Sequence, residues 1–108
     1  MKVRVELTRD AETDLNLLVD YIATHQSIEQ AAYVSNHLEA VTVKLATFPE
    51  RGAFQPELAV LGIREYRQVF FNPYRLIYRI IGHRVVVMII ADGRRDLVAL
   101  LAERLLRS

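Results

Sequence analysis

Residues 85–91, VVVMIIA, form the longest apolar run in the chain and contain no polar side chain. A strand with one solvated face alternates polar and apolar residues, so this run predicts a central strand that is covered on both faces. It is far shorter than the ~20 residues that a membrane-spanning helix needs, and we expect no membrane association. The chain is therefore expected to build a sheet around this strand.

Three more strands are predicted around the apolar run. Asn72-Pro73 separates two strands that precede it, and Gly82-His83 suits a two-residue type II′ turn that leads into it. Near the N-terminus, residues 2–7 alternate between apolar and charged side chains, as is typical of a half-buried strand.

Three helices are also predicted, each with a polar residue that can cap its first turn. Thr8 or Asp10 can cap the first helix, Ser27 and Gln30 fit a capping box for the second, and Asp96 can cap the third. Apolar residues then recur at helical spacing and predict stripes that pack on the sheet. The stripes are Leu15, Leu18, Val19 and Ile22; Val34, Leu38, Val41, Leu45 and Phe48; and Leu97, Leu100, Leu101 and Leu105.

The order of these elements predicts the fold class. The first two helices are expected to pack as an antiparallel hairpin, and a loop over residues 53–62 leads from them to the three C-terminal strands. The order β-α-α-β-β-β-α predicts an α+β fold, with a helical hairpin packed on a small antiparallel sheet to which the first strand is added. With 52% apolar residues, residues 1–108 are expected to form a single domain.

Positive charge is concentrated in the C-terminal half of the chain. Residues 64–95 contain seven arginines and two acidic side chains, whereas residues 1–63 contain five basic and nine acidic side chains. The formal net charge of +1 therefore conceals a basic half and an acidic half. This asymmetry predicts that one surface binds an acidic or polyanionic partner. The plain alternative is that the arginines are solvated groups that keep the sheet soluble.

Arginines of the C-terminal half are the candidate binding residues, because a guanidinium binds phosphates and carboxylates through paired hydrogen bonds. Period two places Arg75 and Arg79 on one face of their strand and turns Tyr74 and Tyr78 to the other, where we expect them in the core. The candidates are Arg64, Arg67, Arg75, Arg94 and Arg95.

Some of these arginines also have purely structural interpretations. Arg84 lies beside the hairpin turn and is expected to be solvated, and Arg79 is a possible cross-strand partner. Arg95 is expected, on this interpretation, to pair with Asp92 or Asp96.

The residues for metal-dependent or nucleophilic catalysis are missing. There is no cysteine, which excludes thiolate sites and is compatible with a reducing compartment. His25, His37 and His83 share no ligand spacing, and no glycine-rich phosphate loop is present. We therefore expect no metal and no cofactor. The charged, alternating N-terminus is unlike a signal peptide, so we expect a cytoplasmic protein.

Six short motifs occur in a fixed order along nearly the whole chain. They are Ala11, Asp14 and Leu15; Tyr21-Ile22-Ala23; LATFPERG at residues 45–52; Arg64; YRLIYR at residues 74–79; and ADGRRD at residues 91–96. In this order they resemble the ParE/RelE superfamily of bacterial toxins from type II toxin–antitoxin modules. The resemblance is closer to the ParE (plasmid-stabilisation) branch.

The resemblance to the ParE branch implies a growth-inhibiting toxin that binds DNA gyrase and traps its cleavage complex. Such a toxin is a binding-type inhibitor rather than an enzyme and needs no catalytic residues. The remaining possibilities are a family member with another target, or one that retains only antitoxin binding.

The RelE-like alternative is a ribosome-dependent endoribonuclease that cuts mRNA without a metal. Carried over by position, Arg75 and Arg95 match its phosphate-handling arginines and would be the catalytic residues. Its two lysine positions fall on Tyr66 and Gln68, and its C-terminal tyrosine position falls on Leu101. Cleavage of a phosphodiester needs a proton acceptor, and no candidate for that role is apparent. The match to the ribonuclease is therefore incomplete.

The resemblance also implies a partner, a cognate antitoxin encoded by an adjacent gene. Family antitoxins bind with a C-terminal tail, and operator DNA is bound only through the antitoxin complex. A basic sheet with an apolar surface beside a helical hairpin suits such a tail. We expect acidic residues of the tail to reach Arg64, Arg75 or Arg95.

Overall fold

The computed structural model describes residues 3–107. Within them the elements are, in chain order, β1 (Arg4–Leu7), α1 (Arg9–His25), α2 (Ile28–Thr47), β2 (Ala53–Phe54), α3 (Pro56–Ala59), β3 (Tyr66–Phe71), β4 (Tyr74–Ile81), β5 (Arg84–Asp92) and α4 (Leu97–Arg107). The five strands form one sheet in the order β1-β5-β4-β3-β2. Helices α1 and α2 pack on one face of the sheet, and α3 and α4 pack on the other. The predicted α+β class is confirmed.

Strand β5 is an interior strand with both faces covered, as its apolar run predicts. Val85, Val87 and Ile90 pack with the helical hairpin, whereas Ile89 and Ala91 pack with α4. Val87 and Ile89 would share a face in a regular strand. They lie on opposite faces because the β4–β5 register shifts between Ile77, which pairs with Ile89, and Tyr78, which pairs with Val87.

The sheet is mixed rather than purely antiparallel, because β1 runs parallel to β5. Tight two-residue turns join β3 to β4 and β4 to β5, whereas β1 and β5 are separated by most of the chain. No tight turn therefore dictates their relative direction, and the sequence pattern of β1 could not reveal it.

The predicted loop over residues 53–62 contains the two short elements β2 and α3. The Gln55 side chain accepts a hydrogen bond from the Leu58 backbone N–H (2.9 Å) and caps α3. Pro56 stands in the first turn, where the lack of an N–H costs nothing, and Leu58 is buried against Tyr66. This single turn brings α3 over the β3–β4 part of the sheet.

The helical hairpin forms with the predicted caps. Thr8 accepts a hydrogen bond from the Ala11 N–H (3.1 Å), and Ser27 accepts one from the Gln30 N–H (2.9 Å). The stripes of α1 and α2 face the core, with one exception. Phe48 is 62% exposed, because α2 ends at Thr47 and the backbone leaves the helical path at Phe48.

Helix α4 is fixed by an ion pair that its apolar stripe did not reveal. Arg104 donates two hydrogen bonds to Asp14 of α1 (Nη1–Oδ2 and Nη2–Oδ1, both 2.6 Å) and one to the Met88 carbonyl oxygen (2.8 Å). Asp14 also accepts a hydrogen bond from the Ile90 N–H (3.0 Å). The hydrogen bonds to Asp14 raise the pKa of Arg104. Leu105, predicted on the stripe, is instead 42% exposed.

The turns agree with the sequence. Gly82 has a positive φ of 60° and His83 does not, as a type II′ turn requires, and Asn72-Pro73 forms the turn between β3 and β4 with a cis peptide bond. None of the helices in residues 3–107 combines the length and the apolar character that crossing a membrane requires.

Candidate functional site

We call residues 92–96 together with Arg75 the corner, because β5 ends there beside the start of β4. The Gly93 N–H donates a hydrogen bond to the Pro73 carbonyl oxygen (2.8 Å). A Cβ atom at this position would lie 3.1 Å from Nε of Arg75 and 3.3 Å from the Pro73 oxygen. Glycine therefore allows the two chain segments to approach closely.

Arg94 is bound to Asp92 within the corner. Its Nε and Nη2 donate to the two carboxylate oxygens (3.0 and 3.1 Å), and its backbone N–H donates to Oδ1 (2.9 Å). These hydrogen bonds lower the pKa of Asp92, and the same pair raises the pKa of Arg94. A carboxylate with a lowered pKa is a poor proton acceptor at neutral pH, so Asp92 is not suited to be a general base.

Arg75 is largely occupied by contacts inside the protein. Its Nη1 lies 3.4 Å from the Gln68 side-chain oxygen and 3.7 Å from Oε1 of Glu57. Glu57 in turn accepts a hydrogen bond from the Gln55 side chain of α3. The Arg75 guanidinium also lies 5.5 Å from the centre of the Phe70 ring. Any external anion must therefore compete with Glu57 for Arg75.

Arg95 is the arginine of the corner whose charge is not neutralised. Its side chain is exposed and makes no hydrogen bond or ion pair with any residue between 3 and 107. The expected pairing with Asp92 or Asp96 is wrong, because Asp92 binds Arg94 and Asp96 caps α4 by accepting a hydrogen bond from the Ala99 N–H (3.0 Å).

Arg64 and Arg67 lie away from the corner, near the opposite end of β4. Arg67 donates hydrogen bonds to the backbone oxygens of Glu50 (3.2 Å) and Gly52 (2.8 Å), and its guanidinium stacks 4.2 Å from the centre of the Phe54 ring. Arg64 lies 5.9 Å from the same ring. The structure therefore divides the five candidate arginines into two groups, and Arg79 joins this second one.

A groove lies between α2 and β3, where the sequence predicted an apolar surface beside the helical hairpin, although its lining residues were not identified. Its volume is about 490 Å³, and a second cavity that shares Lys44 and Arg51 with it extends to the exposed Phe48. Strand β2 pairs only with the first half of β3, so residues 69–71 border the groove with an unpaired edge. The groove is lined by His37, Ala40, Val41, Lys44, Arg51, Gly52, Ala53, Gln68, Val69, Phe70 and Phe71.

The turn at the end of this groove is fixed by a buried tyrosine. The Tyr78 hydroxyl donates a hydrogen bond to the Pro49 carbonyl oxygen (2.7 Å) and accepts one from the Gly52 N–H (3.0 Å). Burial raises the pKa of Tyr78. A Cβ atom at Gly52 would lie 2.6 Å from the Gln68 backbone oxygen, so this position requires glycine. The LATFPERG motif therefore forms a turn that holds Arg51 beside the groove.

The family model described as the ParE toxin of the type II toxin–antitoxin system parDE matches residues 5–97. The chain belongs to this ParE toxin family. Toxin ParE3 of Caulobacter vibrioides is 30% identical over 101 residues, which cover 94% of this chain and 97% of that toxin.

Two solved structures have the same fold as this ParE-family chain. One is the chromosomal ParDE toxin–antitoxin system from P. aeruginosa, with a TM-score of 0.70, 18% identity and coverage of 84% of this chain and 96% of that chain. The other is the toxin–antitoxin complex RelBE2 from Mycobacterium tuberculosis, with a TM-score of 0.62, 21% identity and coverage of 85% and 99%. At these identities, the two structures establish the fold alone.

Three positions of this ParE-family chain that align with ribonuclease residues are unsuited to catalysis. Tyr66, Gln68 and Leu101 are all buried, and Gln68 is engaged by Arg75. Of the histidines, His37 of α2 stacks on Phe71, His25 ends α1, and His83 lies in the turn between β4 and β5. Residues 3–107 contain no cluster of side chains that could hold a metal ion. The match to the ParE family model and to Toxin ParE3 does not favour the ribonuclease alternative.

Proposed function

We propose that this type II toxin inhibits DNA gyrase by binding it and trapping its cleavage complex. The observation that supports this proposal is that Tyr66, Gln68 and Leu101 are buried, where a ribonuclease needs accessible proton donors and acceptors. An inhibitor that acts by binding needs only a complementary surface. Arg95 supplies an exposed guanidinium without an internal partner, and gyrase as the target would place the toxin in the cytoplasm.

The test is a supercoiling and cleavage assay with gyrase and purified, antitoxin-free toxin. We expect inhibited supercoiling and accumulation of linear plasmid. Arg95→Ala should weaken inhibition on the order of tenfold, because an interfacial charge pair is lost, while Arg95→Lys should retain part of the effect. Arg9→Ala is the control, since Arg9 is exposed at the start of α1, outside the corner.

The same preparations should be tested for mRNA cleavage on translating ribosomes. We expect intact mRNA, because Tyr66, Gln68 and Leu101, at the positions that match ribonuclease residues, are buried. If folded toxin leaves gyrase unaffected but cuts mRNA, and Arg75→Ala abolishes the cutting, the proposal fails in favour of the ribonuclease.

We infer that the groove between α2 and β3 receives the tail of the antitoxin. Its floor is apolar, Lys44 and Arg51 provide positive charge, and the unpaired edge of β3 offers backbone hydrogen bonds to an extended segment. An acidic tail that also carries apolar residues matches this combination. Arg64 and Arg95 lie at opposite ends of the sheet, so contact with both would require a tail that crosses it.

Two variants compare these contacts. Lys44→Ala/Arg51→Ala should weaken binding of the antitoxin from the adjacent gene on the order of tenfold, measured by calorimetry. Arg64→Ala/Arg75→Ala/Arg95→Ala tests whether the tail also reaches the candidate arginines. Equal affinity of the first variant and the native toxin would remove the groove as the binding site, and equal affinity of the second would remove the arginines.

A further inference from the structure

A basic rim follows the end of the sheet that lies opposite the corner. We use this name for Arg4, Arg64, Arg67, Arg79 and Arg84, which stand at the start of β1, before and in β3, near the end of β4 and at the start of β5. These strands are neighbours in the order β1-β5-β4-β3, so the rim extends across four of them. At a spacing of ~4.8 Å between strands it spans roughly 14 Å.

Three of the rim arginines project from the same face of the sheet. Val5, Val85 and the residues on either side of Arg79 pack with the helical hairpin, so alternation turns Arg4, Arg84 and Arg79 to the opposite face. Arg4 and Arg84 are direct neighbours in the parallel β1–β5 pair. Arg79 pairs with Val86 and is therefore a diagonal neighbour of Arg84, at about 7–8 Å.

Arg64 and Arg67 continue the rim at the β3 edge. Together with Arg79 they line a cavity of about 240 Å³ that contains the edge of Phe54. Arg67 is held in place by two backbone carbonyl oxygens and by the Phe54 ring, so its orientation is fixed before any ligand binds. Arg64 makes no hydrogen bond or ion pair within residues 3–107.

The rim is not neutralised from within. Its only ion-pair partners within the described chain are Glu6, which lies 3.3 Å from Arg4 and 3.2 Å from Arg84, and Glu65, which lies 3.3 Å from Arg79. Five arginines against two glutamates leave a formal balance of +3. Nε of Arg79 is also buried without a hydrogen-bond partner. Positive charge along the rim therefore exceeds the negative charge that these glutamates supply.

We propose that the basic rim binds the phosphate backbone of a nucleic acid. Duplex DNA carries about one negative charge per 1.7 Å of its axis when both strands are counted, so roughly 14 Å of duplex contains about eight charges. Arginine is also the side chain whose fork matches a phosphate best.

The composition of the rim favours a nucleic acid over an acidic protein. The cores of protein–protein interfaces are depleted of charge and enriched in aromatic and aliphatic groups, whereas nucleic-acid interfaces are polar and strongly positive. The rim follows the second pattern, and the groove between α2 and β3 follows the first. The toxin would therefore contact nucleic acid directly, in addition to any contact made by an antitoxin.

The test measures binding of a short, fluorescently labelled DNA duplex of mixed sequence to the free toxin by anisotropy across a salt series. Gyrase is absent, so the result is independent of the proposed target. We expect affinity to fall steeply with salt. Arg64→Ala/Arg84→Ala should weaken binding on the order of tenfold at low salt and reduce the slope of log affinity against log salt by about 2.

Matched variants distinguish a specific contribution of the rim arginines from the effect of net charge on DNA affinity. Arg9→Ala/Arg107→Ala removes the same charge from the start of α1 and the end of α4 and should leave affinity nearly unchanged. Arg64→Lys/Arg84→Lys keeps the charge and should restore most of the salt dependence. Unfolding midpoints confirm that each variant is folded.

Three results would overturn the proposal. They are no DNA binding at low salt, an equal loss in the Arg9/Arg107 control, and displacement of DNA by a glutamate-rich peptide of equal charge at the same concentration as unlabelled DNA. The last result would identify the rim as a surface for an acidic protein.

Discussion

The corner and the basic rim lie at opposite ends of β4, and both are built mainly from arginines. At the corner, Asp92 binds Arg94 and Glu57 contacts Arg75, whereas the Arg95 side chain has no hydrogen-bond or ion-pair partner among residues 3–107. At the rim, Glu6 and Glu65 pair with three of the five arginines, and no acidic side chain among residues 3–107 pairs with Arg64 or Arg67. Side chains of α3 and α4 pack on Ile77, midway between the two ends, and separate them.

The number of arginines in a segment therefore does not measure how strongly that segment attracts an anion. Arg94 is 91% exposed but remains bound to the Asp92 carboxylate, while Arg64 has no such partner among residues 3–107. An arginine that is used inside the protein should contribute to stability, and one without an internal partner should contribute to binding. The following predictions test that division.

The largest effect is expected for the arginine with the most internal contacts. Arg104→Ala leaves Asp14 as a buried charge without its partner and should lower the free energy of unfolding by about 3–5 kcal/mol, measured by urea denaturation. Arg107 lies on α4 like Arg104 but forms an exposed ion pair with Asp10 of α1. Arg107→Ala should therefore lower the free energy of unfolding by less than about 1 kcal/mol. Similar losses for both variants would contradict the division.

The next largest loss of stability is expected when the turn that orients Arg67 of the rim loses its hydrogen bonds to Tyr78. Tyr78→Phe leaves the Pro49 oxygen and the Gly52 N–H without their buried partner and should cost about 1–3 kcal/mol in the same denaturation experiment. Because the Gly52 carbonyl orients Arg67, DNA binding should weaken as well.

The matched control is Tyr74→Phe, on the same face of β4. Tyr74 is half-buried, and its hydroxyl makes no hydrogen bond within residues 3–107. The Tyr74→Phe variant should lose almost no free energy of unfolding and almost no DNA affinity. A change in DNA binding equal to that of Tyr78→Phe would mean that Arg67 is not held through Gly52.

A smaller effect on DNA affinity is expected when the corner loses the two carboxylates that neutralise its arginines. Glu57→Gln/Asp92→Asn removes the acids that neutralise Arg75 and Arg94 and should increase DNA affinity severalfold at low salt. Glu12→Gln/Glu39→Gln makes the same change in net charge on the exposed surface of the helical hairpin. An equal increase in both variants would show that net charge, rather than its position, sets the affinity.

The smallest effect is the pH dependence of the corner. Arg94 lowers the pKa of Asp92 from its usual value of 3.8, so the stability from this pair is complete above pH 3.8 and is lost as the pH falls through the lower folded-state pKa. Thermal unfolding midpoints of Asp92→Asn should therefore depend less on pH in this range than those of the native protein. An identical pH dependence would show that the pair is not formed in solution.

Local patterns identified most of the elements before the structure was known. The caps at Thr8, Ser27 and Asp96 depend on a side chain and a backbone N–H three residues later, and both are visible in the sequence. Phe48 and Leu105 continue the helical spacing of their stripes, and both are exposed. Spacing alone could not predict this, because it does not show where a helix ends or how far the element packed against it extends. The pairing of Arg104 with Asp14 was not predicted, since the two residues lie on different helices.

The candidate site was predicted only in part, for the same reason. The sequence identified Arg64, Arg67, Arg75, Arg94 and Arg95 by their charge, and it could not show that they divide between two ends of a sheet. Arg4 and Arg84 join the rim because β1 lies parallel beside β5, a contact between distant parts of the chain. Lys44 and Arg51 line the groove because β2 stops after two residues and leaves the edge of β3 open.

The α+β class, the covered β5 strand, the caps and the resemblance to the toxin family could be predicted from the sequence. These features depend on the periodicity of side chains and on interactions within a few residues. Which arginines retain an available charge could be seen only in the folded chain. That property depends on the nearest carboxylate in space, and for Arg75, Arg84 and Arg104 this group comes from another element of the fold.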